Sequence, residues 1–449
     1  MYVRTVSSPA GDAFGTDEDA EPERPAAARA LAAIPAVVVV RERVRALRAL
    51  LDRPLTSYYL ILGITTLLLG LGLVMVLSTA SVTDLSYGES PYYDFARQLA
   101  GIGVGLPVMW LAARSSPRLF RAAAYPLLAL AIIGLALTLI HGVGREENGV
   151  SRWIAIGGQQ FQPSELAKLA LAVWGADLLA RKEKLGLLAD WRHMLVPLMP
   201  GTAVLVMLVM GGDDVSTTVI LLVVFLALLW VAGTPGRVFT ALLILMGMVL
   251  ALLIVTESYR LKRLIGYIEP QSAVSASQKW QAQQGMDALG SGGFLGVGIG
   301  GSTAKWGWLP ESTTDFIFAV IGEELGLIGA LCVVTLYGGL AYAGLRVARR
   351  VTDTFSRLAA AAITIWIVSQ AAVNIGAVIG VLPIAGVPLP LVSQGLSSAL
   401  VTMVALGMLM SFARREPGAA QALAARGPTV SSRVLSWLGL GTRQARSTE

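Results

Sequence analysis

The ionisable residues of this chain that are best placed for chemistry lie in one stretch, residues 290–326, between two strongly apolar runs. The stretch opens with seven glycines among its first thirteen residues, followed by two tryptophans and a Leu-Pro-Glu turn. Its charged residues are Lys305, Glu311, Asp315, Glu323 and Glu324. Ionisable groups collected at the edge of apolar segments usually mark a functional site in a membrane protein. We therefore predict that Asp315 is the catalytic residue.

Two interpretations of Asp315 fit its position just before an apolar helix. As a helix N-cap, its carboxylate would accept backbone N–H bonds, which favour the charged form. As a general base, it would take a proton from a substrate and benefit from a pKa near the operating pH. The sequence leaves both interpretations open.

Glu323 and Glu324 lie two turns further along the same predicted helix, about 12 Å from Asp315 at 1.5 Å per residue. Two adjacent carboxylates within a span must be neutral, paired or exposed to water. The expected cationic partners are Lys168 and Arg97, each at the start of another apolar run. We assign Glu323, Glu324 and Arg97 to a structural polar network.

The glycine run does not have the pattern of a nucleotide-binding loop. No Gly-Lys-Ser/Thr follows it, and no strand-turn-helix pattern surrounds it. The sequence therefore predicts no nucleotide cofactor, and a group donor would have to arrive already activated. The glycines indicate close approach of backbone to a ligand or a helix, with a flexible loop as the alternative. One cysteine, Cys332, and two histidines exclude a Cys-based or multi-His metal site, and no metal ligand is predicted.

The composition is that of an integral membrane protein. The 449 residues are 55% hydrophobic and 14% charged, and the mean hydropathy is +0.67. Soluble domains are nearer 45–50% apolar and about 25% charged. The net charge of +6 fits the lysines and arginines that set membrane orientation, so nucleic acid is not a predicted partner.

Apolar runs long enough to cross a bilayer recur along the chain. We predict an all-α polytopic membrane protein with about ten transmembrane helices and a large extracytoplasmic loop between helices 7 and 8. The predicted spans are residues 57–78, 96–113, 120–141, 164–181, 195–211, 215–232, 238–257, 316–345, 358–381 and 396–413.

The charges between the spans predict the orientation. Arginine and lysine recur in every second connection, and the opposite connections near 79–95, 212–214 and 382–395 have none. The positive-inside rule then places both termini in the cytoplasm. Residues 1–55 read as a disordered tail with a basic juxtamembrane helix, 56–415 as the membrane domain, and 416–449 as a second tail. The basic helix suits anionic membrane lipid, and a solvated linker is the alternative.

Two outer loops carry positive charge against this rule. The loop at 142–163 contains Arg145 and Arg152, and the loop at 258–314 contains Arg260, Arg263 and Lys305. An anionic substrate at the outer leaflet would explain them, because Arg and Lys hold phosphate oxygens through charge-assisted hydrogen bonds. Ordinary solvated charges in long loops are the alternative.

A segment near the C-terminus, residues 380–398, interrupts two spans with Pro383, Pro388 and Pro390. Irregular backbone at membrane depth is tolerated where it is buried in protein or lines a cavity. We interpret this segment as a re-entrant wall of the same site.

With these motifs the chain resembles the SEDS (shape, elongation, division, sporulation) family over nearly all of residues 57–426. Residues 413–419 resemble the division member more than the elongation member. Residues 393–398 and 212–217 depart from the family pattern, which puts any role of Gln394 or Asp214 in doubt. The resemblance is carried by Asn148-Gly149, Arg152-Trp153-Ile154, residues 161–165 and 167–169, 229–233, 291–293, 309–311, 314–326 and 388–391.

The resemblance implies a peptidoglycan glycosyltransferase. It would polymerise lipid II, a disaccharide-peptide on undecaprenyl pyrophosphate, at the outer face of the bacterial plasma membrane during septal wall synthesis. The implied partners are a class B penicillin-binding transpeptidase of the FtsI type and other divisome proteins. A divalent cation such as Mg²⁺ or Mn²⁺ at the pyrophosphate is left open.

The family aspartate corresponds to Asp315, the expected base. Lys305, Arg260, Arg263 and Arg152 are the candidates to hold the pyrophosphate. The remaining expected substrate-binding residues are Glu165, Lys168, Gln284, Glu311, Ser393 and Ser397. The alternatives are a lipid II flippase, with Glu323, Glu324 and Lys168 along a polar pathway, a scaffold that only activates a partner synthase, and a role in elongation.

Overall fold

The computed structural model describes residues 53–422 except Tyr87, His141, 148–149, 157–158, 257–275, Ala385 and Ala420. The predicted tails lie almost wholly outside the described residues. Arg260 and Arg263 also lie outside them.

The described part of the chain is built from eleven α-helices and one small antiparallel sheet. The sheet has the order β1-β2-β3, with β1 (Gly144–Glu147), β2 (Val150–Ile156) and β3 (Gln159–Phe161). The helices are α1 (Thr56–Ser86), α2 (Tyr93–Arg114), α3 (Pro117–Thr138), α4 (Pro163–Lys184), α5 (Trp191–Gly211), α6 (Val215–Val231), α7 (Gly236–Thr256), α8 (Ala276–Ser291), α9 (Ile317–Arg350), α10 (Thr354–Val378) and α11 (Leu396–Ala413).

Each predicted span overlaps one helix, and α8 is the helix that no predicted span covers. Among the described residues, seven helices are long and apolar enough to cross a membrane: α1, α2, α3, α5, α9, α10 and α11. The chain is therefore an all-α, multi-pass membrane protein. The count of ten crossings stays a prediction, because α6 is short and α4 carries several charges.

Two predicted loops contain more regular structure than expected. The first span was predicted to end at residue 78, but α1 continues to Ser86. The apolar run stops at residue 78, but no glycine or proline lies between that residue and Gly88, which has φ +77°. Nothing in this stretch therefore ends the helix. In the loop at 142–163 the strands pair Arg145 with Trp153 and Ile154 with Phe161. Strands this short give little sequence periodicity, so the prediction missed them.

The core of the helical bundle lies around α10 and α11. In the most apolar 18-residue segment of each helix, 67% and 83% of the residues are buried. Small residues allow neighbouring helices to approach closely. Helix α11 packs so tightly on α2 that a side chain at Gly407 would clash with the carbonyl oxygen of Met109. Residues 359–362 of α10 are four buried alanines. Association of helices in lipid depends on such small residues, because apolar burial alone gives no preference over lipid tails.

The bundle has one end that is rich in arginine. There Asp177 of α4 accepts from Arg121 at 2.8 Å and Arg181 at 2.7 Å, and Arg414 donates to the carbonyl oxygen of Ala113. Helix α9 ends with Arg349 and Arg350, so Asp315, two residues before α9 begins, lies at the opposite end.

Candidate functional site

Asp315 lies in a turn that leads into α9. The turn is closed by the carbonyl oxygen of Glu311, which accepts from the backbone N–H of Phe316 at 3.0 Å. Glu311 is exposed, has φ +56° and accepts the Thr314 hydroxyl on its carboxylate at 2.7 Å. The N-cap position of α9 is Phe316, whose side chain makes no capping hydrogen bond. Asp315 stands one residue before this position, and both interpretations of its carboxylate stay predictions.

A shallow recess, here called the Asp315 recess, opens beside this residue. The empty space at this point is about 190 Å³ when open solvent is counted with it. Three segments line it: Asp315 and Phe316, the end of α10 with Asn374, and the proline-interrupted segment with Gly386 and Val387. Sites for drug-sized ligands usually measure about 300–1,000 Å³, so the recess can accept only one part of a large ligand.

Arg152 reaches the same recess from strand β2. Its guanidinium donates to the carbonyl oxygens of Gly212 at 3.2 Å and Asp213 at 2.6 Å, which hold it over the loop between α5 and α6. A Cβ built on Gly386 would lie 3.7 Å from Asp315 Oδ2 and 3.9 Å from a terminal guanidinium nitrogen of Arg152. The structure thus brings together two of the predicted site residues, one acidic and one basic, around a glycine.

The proline-interrupted segment is held against the Asp315 turn by side chains from three places. Ser393 donates to the carbonyl oxygen of Thr314 at 2.6 Å and accepts from the Leu389 N–H. Tyr337 of α9 donates to the carbonyl oxygen of Pro390. Asn374 donates to the carbonyl oxygens of both Asp315 and Val387 at 2.8 Å. The segment forms a wall of the site, as the sequence predicted, and Ser393 acts within that wall.

Glu165 and Lys168 form a buried ion pair in α4. Their charged atoms are 2.7 Å apart and the side chains are 1% and 0% exposed. Lys168 also donates to Gln370 Oε1 at 2.7 Å, and Gln370 donates to the carbonyl oxygen of Pro388. Neither residue reaches solvent in this arrangement, so the predicted contact of both with substrate would require the pair to open. They support the wall from behind.

Glu324 has a partner that the sequence analysis did not predict. Its Oε1 accepts from Lys305 at 3.0 Å and from Ser78 of α1 at 2.6 Å. The predicted pairing with Lys168 or Arg97 is wrong, since Lys168 pairs with Glu165 and Arg97 donates to Gln159 at 2.7 Å. Lys305 is 5% exposed, so its predicted role in holding pyrophosphate does not fit this placement either.

Glu323 and the glycine-rich run form the rest of this buried cluster. Glu323 accepts from the hydroxyl of Ser302 and from the backbone N–H and hydroxyl of Thr303. The helix α9 is broken at Gly326, which has φ +68° and ψ −166°. A Cβ at Gly292 would lie 2.0 Å from the carbonyl oxygen of Gly322. Gly292 and Gly296 therefore serve close packing against the α9 backbone, one of the two roles predicted for the run, whereas Gly290, Gly293, Gly298 and Gly300 have open space at their Cβ positions.

Two other predicted residues lie near the edges of this assembly. Ser397 is buried and accepts the Gln162 N–H at 3.4 Å. Gln284 is half-buried on α8, next to Gly285, whose Cβ position is 2.8 Å from the Phe316 ring. Their predicted contact with substrate stays a prediction. Among the described residues no group of three or more His, Cys, Asp or Glu side chains could hold a metal ion.

Three residues of the site were not predicted: Gln370, Asn374 and Gly386. The first two are polar side chains four residues apart in the apolar span predicted at 358–381, and polar groups within spans often mark functional sites. Two polar side chains one helical turn apart in an apolar span are therefore the sequence signal for this part of the site. Gly386 gave no comparable signal, because glycines are frequent throughout this chain.

Comparison with known proteins gives consistent results at the levels of family, sequence and fold. The family model for the FtsW, RodA and SpoVE cell cycle proteins matches residues 58–417. A Mycobacterium tuberculosis protein called probable peptidoglycan glycosyltransferase FtsW is 42% identical over 379 residues, 84% of this chain and 71% of that protein. The stage V sporulation protein E of Bacillus subtilis is 34% identical over 79% of this chain and 96% of its own.

Solved structures of similar proteins have the same fold. One is a peptidoglycan synthase complex whose description concerns the coordination of polymerization and crosslinking. Its matching chain has a TM-score of 0.64 and 26% identity, over 79% of this chain and 96% of that chain. The rod shape determining protein RodA of Thermus thermophilus gives a TM-score of 0.56 and 28% identity, over 79% and 96%.

Proposed function

The chain belongs to the FtsW/RodA/SpoVE family of cell cycle proteins, and from this premise we propose that it is a peptidoglycan glycosyltransferase of cell division. Its substrate is lipid II, which serves as both donor and acceptor. The division role follows from the names of the FtsW relatives. We further propose that the protein acts at the division septum. Both termini would lie in the cytoplasm, with residues 1–55 and 416–449 as cytoplasmic tails.

The observation that carries the proposal is the meeting of Asp315 and Arg152 around Gly386, where both charged side chains are partly exposed. A carboxylate and a guanidinium that lie close together can act on the two reactants of a group transfer, the acceptor and the leaving group. The carboxylate takes a proton from the acceptor hydroxyl, and the guanidinium stabilises charge on a departing pyrophosphate. The recess lies at the end of the bundle opposite the arginine-rich end, which suits a reaction at the outer face.

The proposed reaction is a direct displacement with inversion at the anomeric carbon. The acceptor hydroxyl oxygen bonds to the anomeric carbon as its proton passes to the Asp315 carboxylate. The bond from that carbon to the pyrophosphate oxygen breaks, and undecaprenyl pyrophosphate leaves with the electron pair. Arg152 is the described candidate to hold it. Arg260 and Arg263, which lie outside the described residues, complete the proposed set in place of Lys305.

The flippase alternative required a polar pathway along Glu323, Glu324 and Lys168. Each of these residues is 2% exposed or less and bonded to other protein groups. Closed pairs of this kind hold helices together and do not form an open path for a sugar head group. The arrangement therefore supports the transferase over the transporter.

The test is reconstitution of the full chain in liposomes with its proposed partner, a class B penicillin-binding transpeptidase, and labelled lipid II. The proposal expects glycan polymers, analysed by length on a gel. Lipid II that crosses the bilayer without forming polymer would favour the flippase. Polymer formed equally by the partner alone would contradict the proposal and favour neither role for this chain.

A further inference from the structure

The side-chain amide of Asn374 joins two walls of the Asp315 recess. Its Nδ2 donates to the carbonyl oxygens of Asp315 and Val387, each at 2.8 Å. Val387 directly follows Gly386, whose Cβ position faces the Asp315 carboxylate and the Arg152 guanidinium. One side chain thus links the backbone that carries the carboxylate to the backbone that faces it.

The orientation of this amide is determined by its neighbours. Carbonyl oxygens only accept hydrogen bonds, so the group that faces two of them must be the NH₂. The other atom, Oδ1, is buried and has no hydrogen-bond partner among the described residues, and Asn374 is 2% exposed. An unpaired buried acceptor costs about 1–3 kcal/mol. Local arrangements that lower stability in this way are common at functional sites.

Gln370 repeats the arrangement one helical turn earlier in α10. Its Nε2 donates to the carbonyl oxygen of Pro388 at 3.0 Å. Its Oε1 accepts from Lys168 at 2.7 Å and from the Trp366 ring N–H at 3.0 Å, which fixes the orientation of this amide as well. The wall is therefore pinned at two successive carbonyl groups from a single helix face.

We propose that Asn374 is a positioning residue for the transfer reaction, acting through the backbone of Asp315; this inference rests on the proposed function. Asn374 holds the carboxylate at reacting distance from the acceptor hydroxyl without contacting the substrate. Misplacement of a reacting group by about 1 Å can lower a rate by roughly 10²-fold. Ser393 and the Gln394 N–H bind the same turn independently, so the fold survives without Asn374 but the position of the carboxylate does not.

The test compares two variants of the full chain in the lipid II assay. Asn374→Ala removes the amide, and Asn374→Asp keeps its volume but replaces the donor group. Both should lower kcat by about 10-fold or more while KM stays within about twofold, because the missing interaction acts on position. The control is Ser369→Ala on the same helix, which loses one hydrogen bond to the carbonyl oxygen of Trp366 within α10.

The outcomes separate this inference from the proposed function. Polymer formation by the unaltered chain tests the proposed function alone. Given that activity, wild-type kcat in Asn374→Asp would overturn the inference, because volume would then be sufficient. A raised KM with unchanged kcat would indicate direct substrate contact and would also overturn it. Loss of folded protein in both variants, seen by size-exclusion chromatography, would overturn it by making Asn374 a determinant of folding.

Discussion

At the scale of single residues, a glycine stands beside the two opposite charges of the site. Gly386 has φ +64°, and a Cβ there would lie at ordinary contact distance from both Asp315 and Arg152. Glycine suits this position for two reasons: a left-handed backbone is costly for other residues, and the recess is narrow.

We predict that Gly386→Ala lowers glycan synthesis strongly. The added methyl group would be strained at positive φ, by about 1–2 kcal/mol, and would stand in contact with both charged groups. Gly233→Ala is the matched control, because Gly233 has φ +90° with open space around it. Initial rates and melting temperatures of both variants check this. Equal loss of activity in the two variants would contradict a specific role for Gly386.

We also predict that removal of one partner of the Glu165–Lys168 pair destabilises the protein. Lys168→Met would leave a buried carboxylate without its counter-charge, at a cost of about 3–5 kcal/mol. The double variant Lys168→Met with Glu165→Gln should recover most of that loss. Thermal unfolding in detergent measures both effects. Single and double variants of equal stability would show that the pair does not support the wall as described.

How far the sequence predicts the site differs from residue to residue. Asp315 and Arg152 were predicted from charge that is unusual in its surroundings, and the structure brings them together. The partners of Glu324 were not predicted: Lys305 lies 19 positions away in the same stretch, and Ser78 lies 246 positions away. Which of several buried charges meet is decided by helix packing, and the local sequence does not encode it.

At the scale of elements, the glycine-rich run and the first part of α9 form one unit. Backbone N–H groups of Val297 and Gly298 donate to the carbonyl oxygens of Glu323 and Glu324. A straight α-helix as long as α9, 34 residues, would measure about 51 Å, well beyond the roughly 30 Å of a bilayer core. The break at Gly326 separates the part next to Asp315 from the part long enough to span.

We predict that this unit fails to assemble in Gly292→Ala. The added Cβ would meet only backbone atoms within 3 Å, which cannot move aside as a flexible side chain could. Gly290→Ala is the control, since nothing lies within 4 Å of its Cβ position. The melting temperature and the monodisperse fraction after solubilisation report assembly. A Gly292→Ala protein as stable as the control would contradict the close packing described.

The spans were the elements most accessible to prediction, because lipid requires about 20 consecutive apolar residues with every backbone group bonded within the helix. The short strands and α8 were missed for the converse reason. They lie outside the apolar runs, where neither lipid nor a continuous core imposes a pattern on the sequence.

At the scale of the whole molecule, the distribution of charge predicts which end faces the cytoplasm. In a Cys332→Ser background we expect Glu89→Cys, between α1 and α2, to react in intact cells with a maleimide that does not cross membranes. Arg118→Cys, at the arginine-rich end, should react only after permeabilisation. The reverse pattern would place the Asp315 recess on the wrong side for lipid II polymerisation.

The central claim is that the Asp315 carboxylate takes the proton of the acceptor hydroxyl, and one comparison tests it most directly. Asp315→Asn and the control Asp287→Asn, an exposed carboxylate on α8, are assayed for glycan polymer from lipid II with the partner present. We expect near wild-type polymer from Asp287→Asn and a loss of about 10²–10⁴-fold from Asp315→Asn, with both proteins folded. Polymer made at the wild-type rate by folded Asp315→Asn would contradict the account.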